Sequence, residues 1–169
     1  MNILREILER HSVRNFKPVA IENDKLKRIL EAGRLAPSAK NRQPWRFIVV
    51  KDKELKEKIK KAAFGQEYIV QAPVIVAACS TNIEYKMPNG QLSYPIDITF
   101  AASFMMLQAV HEGLGTCLIT TFNEQLAKEI LTVPHLMRVV MILAIGYAGE
   151  DMEPVTRKPI QKIISYNHW

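Results

Sequence analysis

The stretch Ala36-Pro37-Ser38-Ala39-Lys40-Asn41-Arg42-Gln43-Pro44-Trp45-Arg46-Phe47 marks the point where the chain changes period. Upstream, Glu22 to Leu35 carries Leu26, Ile29, Leu30 and Leu35 on one helical stripe. Downstream, Arg46-Phe47-Ile48-Val49-Val50-Lys51 reads as a strand. Between them Pro37, Ser38, Asn41 and Pro44 make a tight polar turn, which Trp45 and Phe47 anchor to the strand. A plain helix-to-strand connector needs neither the Asn41 nor the Gln43 amide, although loops of this composition also occur without a function.

Toward the N-terminus, apolar residues at 3, 4, 7 and 8 predict a helix over residues 2–9, leading into Arg10-His11-Ser12-Val13-Arg14. Arg10, Ser12 and Arg14 alternate, so in an extended segment they project to one side. Two guanidinium groups and a hydroxyl are the groups that hold a phosphate. Taken alone, the triplet reads more readily as surface residues trailing a helix, since short basic triplets are common.

Toward the C-terminus, Lys51 to Lys61 places Leu55 and Ile59 four apart among alternating lysines and acids, an amphipathic helix with a solvated face. No aromatic residue interrupts this run to stack on bases, which argues against nucleic acid. Residues 73–79 are continuously apolar and predict a strand buried on both faces. Thr81 to Pro95, with Pro88-Asn89-Gly90, reads as a loop and a candidate lid. Ile96 to Glu112 is apolar around nearly its whole circumference and ends at Gly113, where a left-handed cap fits. In a chain this small, such a helix suggests that a partner subunit covers one face. Residues 116–120 and 139–146 predict two more strands around a helix at 123–131, and a basic tail starts at Arg157. No linker or repeat divides this mixed helix-and-strand pattern, so residues 1–169 are expected to form one domain.

The net charge of +6 favours an anionic ligand, and charge alone does not choose among nucleic acid, a flavin phosphate and a nicotinamide dinucleotide. Cys79 and Cys117 lie in apolar runs, with no CxxC and no histidine at metal-ligand spacing. Buried reduced thiols, no metal and a cytoplasmic setting are expected. The charged N-terminal stretch lacks a signal-peptide core and no apolar run approaches twenty residues, so no membrane association is expected. His111, His135 and His168 read as structural or surface residues, Met87, Met105, Met106 and Met141 as packing, and Asp97 as a helix-start residue.

The two informative segments, in this order and separation, resemble the nitroreductase family of FMN-dependent oxidoreductases, and the resemblance covers almost the whole chain. Its specific stretches are Arg10 to Phe16 and Ala36 to Phe47. Ala72-Pro73-Val74, Gly113-Leu114-Gly115-Thr116, Ala144-Ile145-Gly146-Tyr147 and Arg157-Lys158-Pro159-Ile160 support them. The resemblance implies an α+β fold with a central, mostly antiparallel sheet flanked by helices. It also implies an intertwined homodimer with FMN at the interface and the tail from about residue 150 reaching the partner. It further implies that Arg10, His11 and Ser12 hold the FMN phosphate together with Arg157, and that Arg14 reaches the ribityl and pyrimidine end. Pro37, Ser38, Ala39 and Asn41 then come from the other subunit, the backbone at Thr120 and Thr121 faces the flavin, and Gln66 matches a region on the pyrimidine ring.

By the same resemblance, NAD(P)H passes hydride to flavin N5 and an electron-poor acceptor, such as a nitroaromatic, quinone or enone, then takes its place. No side chain is required as a dedicated acid or base. Two departures stand out: Tyr68 and Val155 occupy positions where well-known members carry cations, which favours a lower flavin potential. Two alternatives stay open. One keeps the fold and flavin with different chemistry, reductive dehalogenation or oxygen-dependent flavin fragmentation, and the other is a non-redox basic protein that binds polyanions.

Overall fold

The computed structural model describes residues 3–149 and 156–169. Its centre is a four-stranded, wholly antiparallel sheet in the order β1-β2-β4-β3, formed by β1 (Trp45–Val50), β2 (Val74–Ser80), β3 (Gly115–Ile119) and β4 (Arg138–Gly146). The expected α+β architecture is therefore present.

Every residue of β2 is buried, because helices cover both faces of the sheet. With a side-chain period of two, Val74 and Val76 join Ile29, Met105 and Ala109 on one face. Ile75, Ala77 and Cys79 join Ile59, Ile69 and Cys117 on the other. The first face carries α2 (Asn23–Arg34) and α5 (Tyr94–His111), and the second carries α3 (Lys53–Ala62) and α6 (Glu124–Leu131). The start of α3 is capped by the Asp52 carboxylate, which accepts from the Leu55 amide at 2.7 Å, and Asn123 caps α6 in the same way.

Boundaries differ from expectation where side chains override periodicity. The first helix, α1, spans only Arg5–Glu9 and buries none of its residues. A short helix, α4 (Tyr68–Gln71), precedes β2 where none was expected, and the buried Lys56 ammonium donates to the Val70 and Ala72 carbonyls at its end. The 81–95 loop stops short because Pro95, suited to a first helical turn, lets α5 begin at Tyr94.

Among the described residues, the apolar circumference of α5 is covered over part of its surface. Ile98, Ala101, Ala102, Met105 and Ala109 face inward. Phe100 and Phe104 are 46% and 38% exposed in the single chain, joined by Ile96 at 36%. One chain alone therefore leaves part of this apolar helix uncovered.

Candidate functional site

Residues 10–16 thread beside the start of β3. Ser12 bridges Thr116, the Val13 amide donates to the Thr116 carbonyl at 2.9 Å, and Phe16 bridges Ala148. Val13 is buried while Arg14 is exposed and Ser12 partly so, the alternation of an extended chain. The close approach depends on Gly115, where a Cβ would stand 2.4 Å from Val13 Cγ2. Among the described residues, no carboxylate pairs with Arg10 or Arg14. Two guanidinium groups without an acidic partner suit an anionic ligand such as a phosphate.

A second cluster stands at Arg14. Burial pushes the Tyr68 phenol up, the Cys117 thiol beside it adds to this, and the Arg14 guanidinium pulls the other way. The Cys117 thiol is likewise raised by burial against the pull of Arg14, so both groups are neutral at pH 7. Tyr68 donates its hydroxyl to Gln66 Oε1, while Gln66 Nε2 donates to the Ala63 carbonyl at 3.0 Å and to the Thr121 carbonyl at 2.9 Å. The Asn123 amide bonds the Ala62 carbonyl at 2.8 Å. The 62–66 and 120–123 loops are thus laced together, which brings Arg14, Gln66 and Thr121 to one place with Thr120 alongside. Both amide hydrogens of Gln66 are committed to protein carbonyls, so its side chain holds the Thr120–Thr121 backbone rather than offering a donor outward.

The Pro37–Asn41 segment is the third part. Ser38 is extended, and Lys40, Asn41 and Gln43 have φ of 52°, 52° and 50°. Left-handed backbone without glycine costs on the order of 1 kcal/mol per residue, least for asparagine, and needs fixed partners. The Gln43 amide bonds Ser38 Oγ at 2.9 Å, the Asn41 amide bonds the Ser38 carbonyl at 2.9 Å, and the Ala39 amide bonds Asp97 Oδ1 at 2.8 Å. The 81–93 loop leans on the same turn, with the Arg42 guanidinium 3.7 Å from the centre of the Tyr85 ring and Lys40 Nζ at 5.5 Å. Neither the Arg42–Tyr85 stack nor the Ala39–Asp97 bond has a local sequence signal, because the partners lie more than forty residues apart.

Helix α5 shows how these parts relate. Its first turn holds the Pro37–Asn41 segment through Asp97. Its last residue, His111, meets Glu6 at 3.0 Å on α1, just before Arg10. At 1.5 Å per residue, Asp97 and His111 are about 21 Å apart along the axis. One chain therefore keeps its two signature segments at opposite ends of the same helix.

Arg157 is exposed and its guanidinium donates to the Thr156 carbonyl at 3.4 Å; among the described residues no bond joins it to Arg10, His11 or Ser12. Val155 and the tail's first residues, 150–155, lie outside the described residues. Cys79 is buried, its thiol pushed up to about 11 chiefly by burial. Among the described residues no group of His, Cys, Asp and Glu could hold a metal, and no helix is long and apolar enough to cross a membrane.

The nitroreductase family model matches residues 7–71 and 63–147. An FMN reductase [NAD(P)H] of Bacillus subtilis is 31% identical, covering 98% of this chain and 72% of that protein. A protein of Thermus thermophilus named NADH dehydrogenase is 27% identical over 93% of this chain and 92% of its own length. Among solved structures, a nitroreductase family protein of Clostridium difficile superposes with a TM-score of 0.89 at 31% identity, covering all of both chains.

Proposed function

The chain belongs to the nitroreductase family, and we propose that two copies of it bind FMN between them to pass hydride from NAD(P)H to electron-poor small molecules. An NAD(P)H-dependent flavin oxidoreductase is the reading that both the family and the Bacillus subtilis relative support. The observation that carries the dimeric site is the separation of the two signature segments by about 21 Å of α5. A second copy packed antiparallel on the exposed Ile96, Phe100 and Phe104 face brings the Pro37–Asn41 segment of one chain to the Arg10–Arg14 segment of the other.

The chemistry of the donor set fits the cofactor. Arg10, His11 and Ser12 hold the phosphate with Arg157, Arg14 is the cation at the pyrimidine end, and Ser38, Ala39 and Asn41 line the opposite wall beside Pro37. Thr120 and Thr121 present backbone held in place by Gln66. When bound, FMN would supply the two-electron hydride chemistry. The protein orients donor and acceptor and sets the potential, and this chemistry requires no side chain as a dedicated acid or base. Tyr68, neutral in its site, leaves Arg14 as the charge that favours reduced flavin there.

The test is the visible spectrum of the purified protein, followed by anaerobic titration with NADH and NADPH. Bound yellow flavin bleached by either nucleotide, with turnover on a nitroaromatic or quinone, is the expected result. A colourless protein that takes up no FMN overturns the reading. Flavin that neither nucleotide reduces overturns the NAD(P)H assignment alone.

A further inference from the structure

Asp97 is 2% exposed, and its Oδ2 is buried without a hydrogen-bond partner. No lysine, arginine or histidine pairs with it among the described residues. A carboxylate half-stripped of partners in the protein interior is costly. Its place in the first turn of α5 suggests a helix-start residue, but such a residue accepts from amides of its own helix. Asp97 Oδ1 instead accepts from the Ala39 amide, 58 residues away in sequence, at 2.8 Å.

Ala39 lies in the turn that contains three left-handed non-glycine residues, where the Asn41, Arg42 and Gln43 amides and the Gln43 side chain all bond acceptors within the turn itself. At its far end, Pro44 is tied to the rest of the molecule through its carbonyl, which accepts from the Thr81 amide and hydroxyl. At its near end the tie is Asp97.

We propose that Asp97 is a positioning residue: through the Ala39 amide it holds the Ser38–Asn41 wall of the flavin site on the first turn of the helix at the dimer interface. Where that wall stands is thus set by the helix on which the two copies meet. The proposal rests on the flavin reading for its functional consequence, whereas the loop restraint itself can be measured without flavin.

The test compares Asp97→Ala, Asp97→Asn and Ala39→Pro in the full-length dimer. Asparagine keeps an oxygen for the Ala39 amide. Proline at 39 deletes the donor, and Ser38 already has the extended conformation preferred before proline. Asp97→Ala and Ala39→Pro are each expected to weaken FMN binding at least tenfold with the dimer retained, and Asp97→Asn to stay within about threefold of wild type. The double variant Asp97→Ala, Ala39→Pro should be no worse than the weaker single. In flavin-free protein, hydrogen exchange of the amides at 39 and 41–43 should speed up in Asp97→Ala and not in Asp97→Asn. Unchanged exchange and unchanged FMN affinity in Asp97→Ala, or fully additive losses in the double variant, overturn the proposal. If wild type binds no FMN, the flavin reading fails, and the exchange measurement alone decides whether Asp97 restrains the loop. If Asp97→Ala does not fold, Ala39→Pro decides in its place, and wild-type FMN affinity with it overturns the proposal.

Discussion

Arg28 on α2 and Glu112 at the C-terminal end of α5 are joined by two bonds, Nε to Oε1 and Nη2 to Oε2, each 2.7 Å long. Gln108 adds a third bond to Oε1 at 2.8 Å, and the Glu112 side chain is only 8% exposed. The Arg28 guanidinium holds the Glu112 carboxyl down at about 2 from an ordinary 4.5, against the upward pull of burial. A depressed carboxyl contributes stability that is complete above its unfolded value and lost as pH falls through its folded value. Thermal stability is therefore expected to drop between about pH 4.5 and pH 2, and Arg28→Ala should flatten that part of the curve. A wild-type-like acid profile in Arg28→Ala would show that the pair does not set it.

Arg10→Ala combined with Arg157→Ala should abolish FMN retention through gel filtration while the dimer persists. Each charge-assisted bond to a phosphate contributes about 1.5–3 kcal/mol, roughly a tenfold to hundredfold loss apiece. Unchanged retention would remove these residues from the phosphate site.

Gly115→Ala places a methyl group 2.4 Å from Val13 Cγ2, and Val13, itself buried, has nowhere to go. The expected cost is about 1–3 kcal/mol of stability, seen in chemical denaturation. FMN affinity should weaken with it, because Ser12 and Arg14 flank the displaced residue.

Gln66→Leu deletes both donors to the Ala63 and Thr121 carbonyls and leaves the Tyr68 hydroxyl without its acceptor. A destabilisation of about 1–3 kcal/mol is expected. Flavin fluorescence and potential should shift as Thr120 and Thr121 move. A stable variant with an unaltered flavin spectrum would argue that the lacing of these loops has no bearing on the site.

Phe104→Glu introduces a charge into the exposed apolar face of α5. Sedimentation should show monomer, and the monomer should hold no flavin, because one chain keeps its two signature segments apart. A flavin-bound monomer would overturn the interfacial site.

Most of the architecture was legible in the chain. The short apolar run at 46–51, the unbroken apolar run at 73–79 and the stripe at 26, 29 and 30 are local consequences of helix and strand geometry, and each became the expected element. The four-residue α4 was not legible, because it depends on Lys56 reaching the Val70 and Ala72 carbonyls from another helix. The start of α1 was misjudged because its stripe buries nothing within one chain.

The sequence by itself determined where the candidate ligand-binding groups lie along the chain: cations and a hydroxyl at 10, 12 and 14, and polar turn residues at 37–41. Charge, hydrogen-bonding capacity and alternation belong to the residues and their immediate neighbours. Only the tertiary structure decided that these segments stand at opposite ends of α5, that Gln66 is spent on holding Thr121, and that Asp97 carries Ala39. Those are contacts between residues far apart in the chain, and they arise from the packing of helices on the sheet, which no local period encodes.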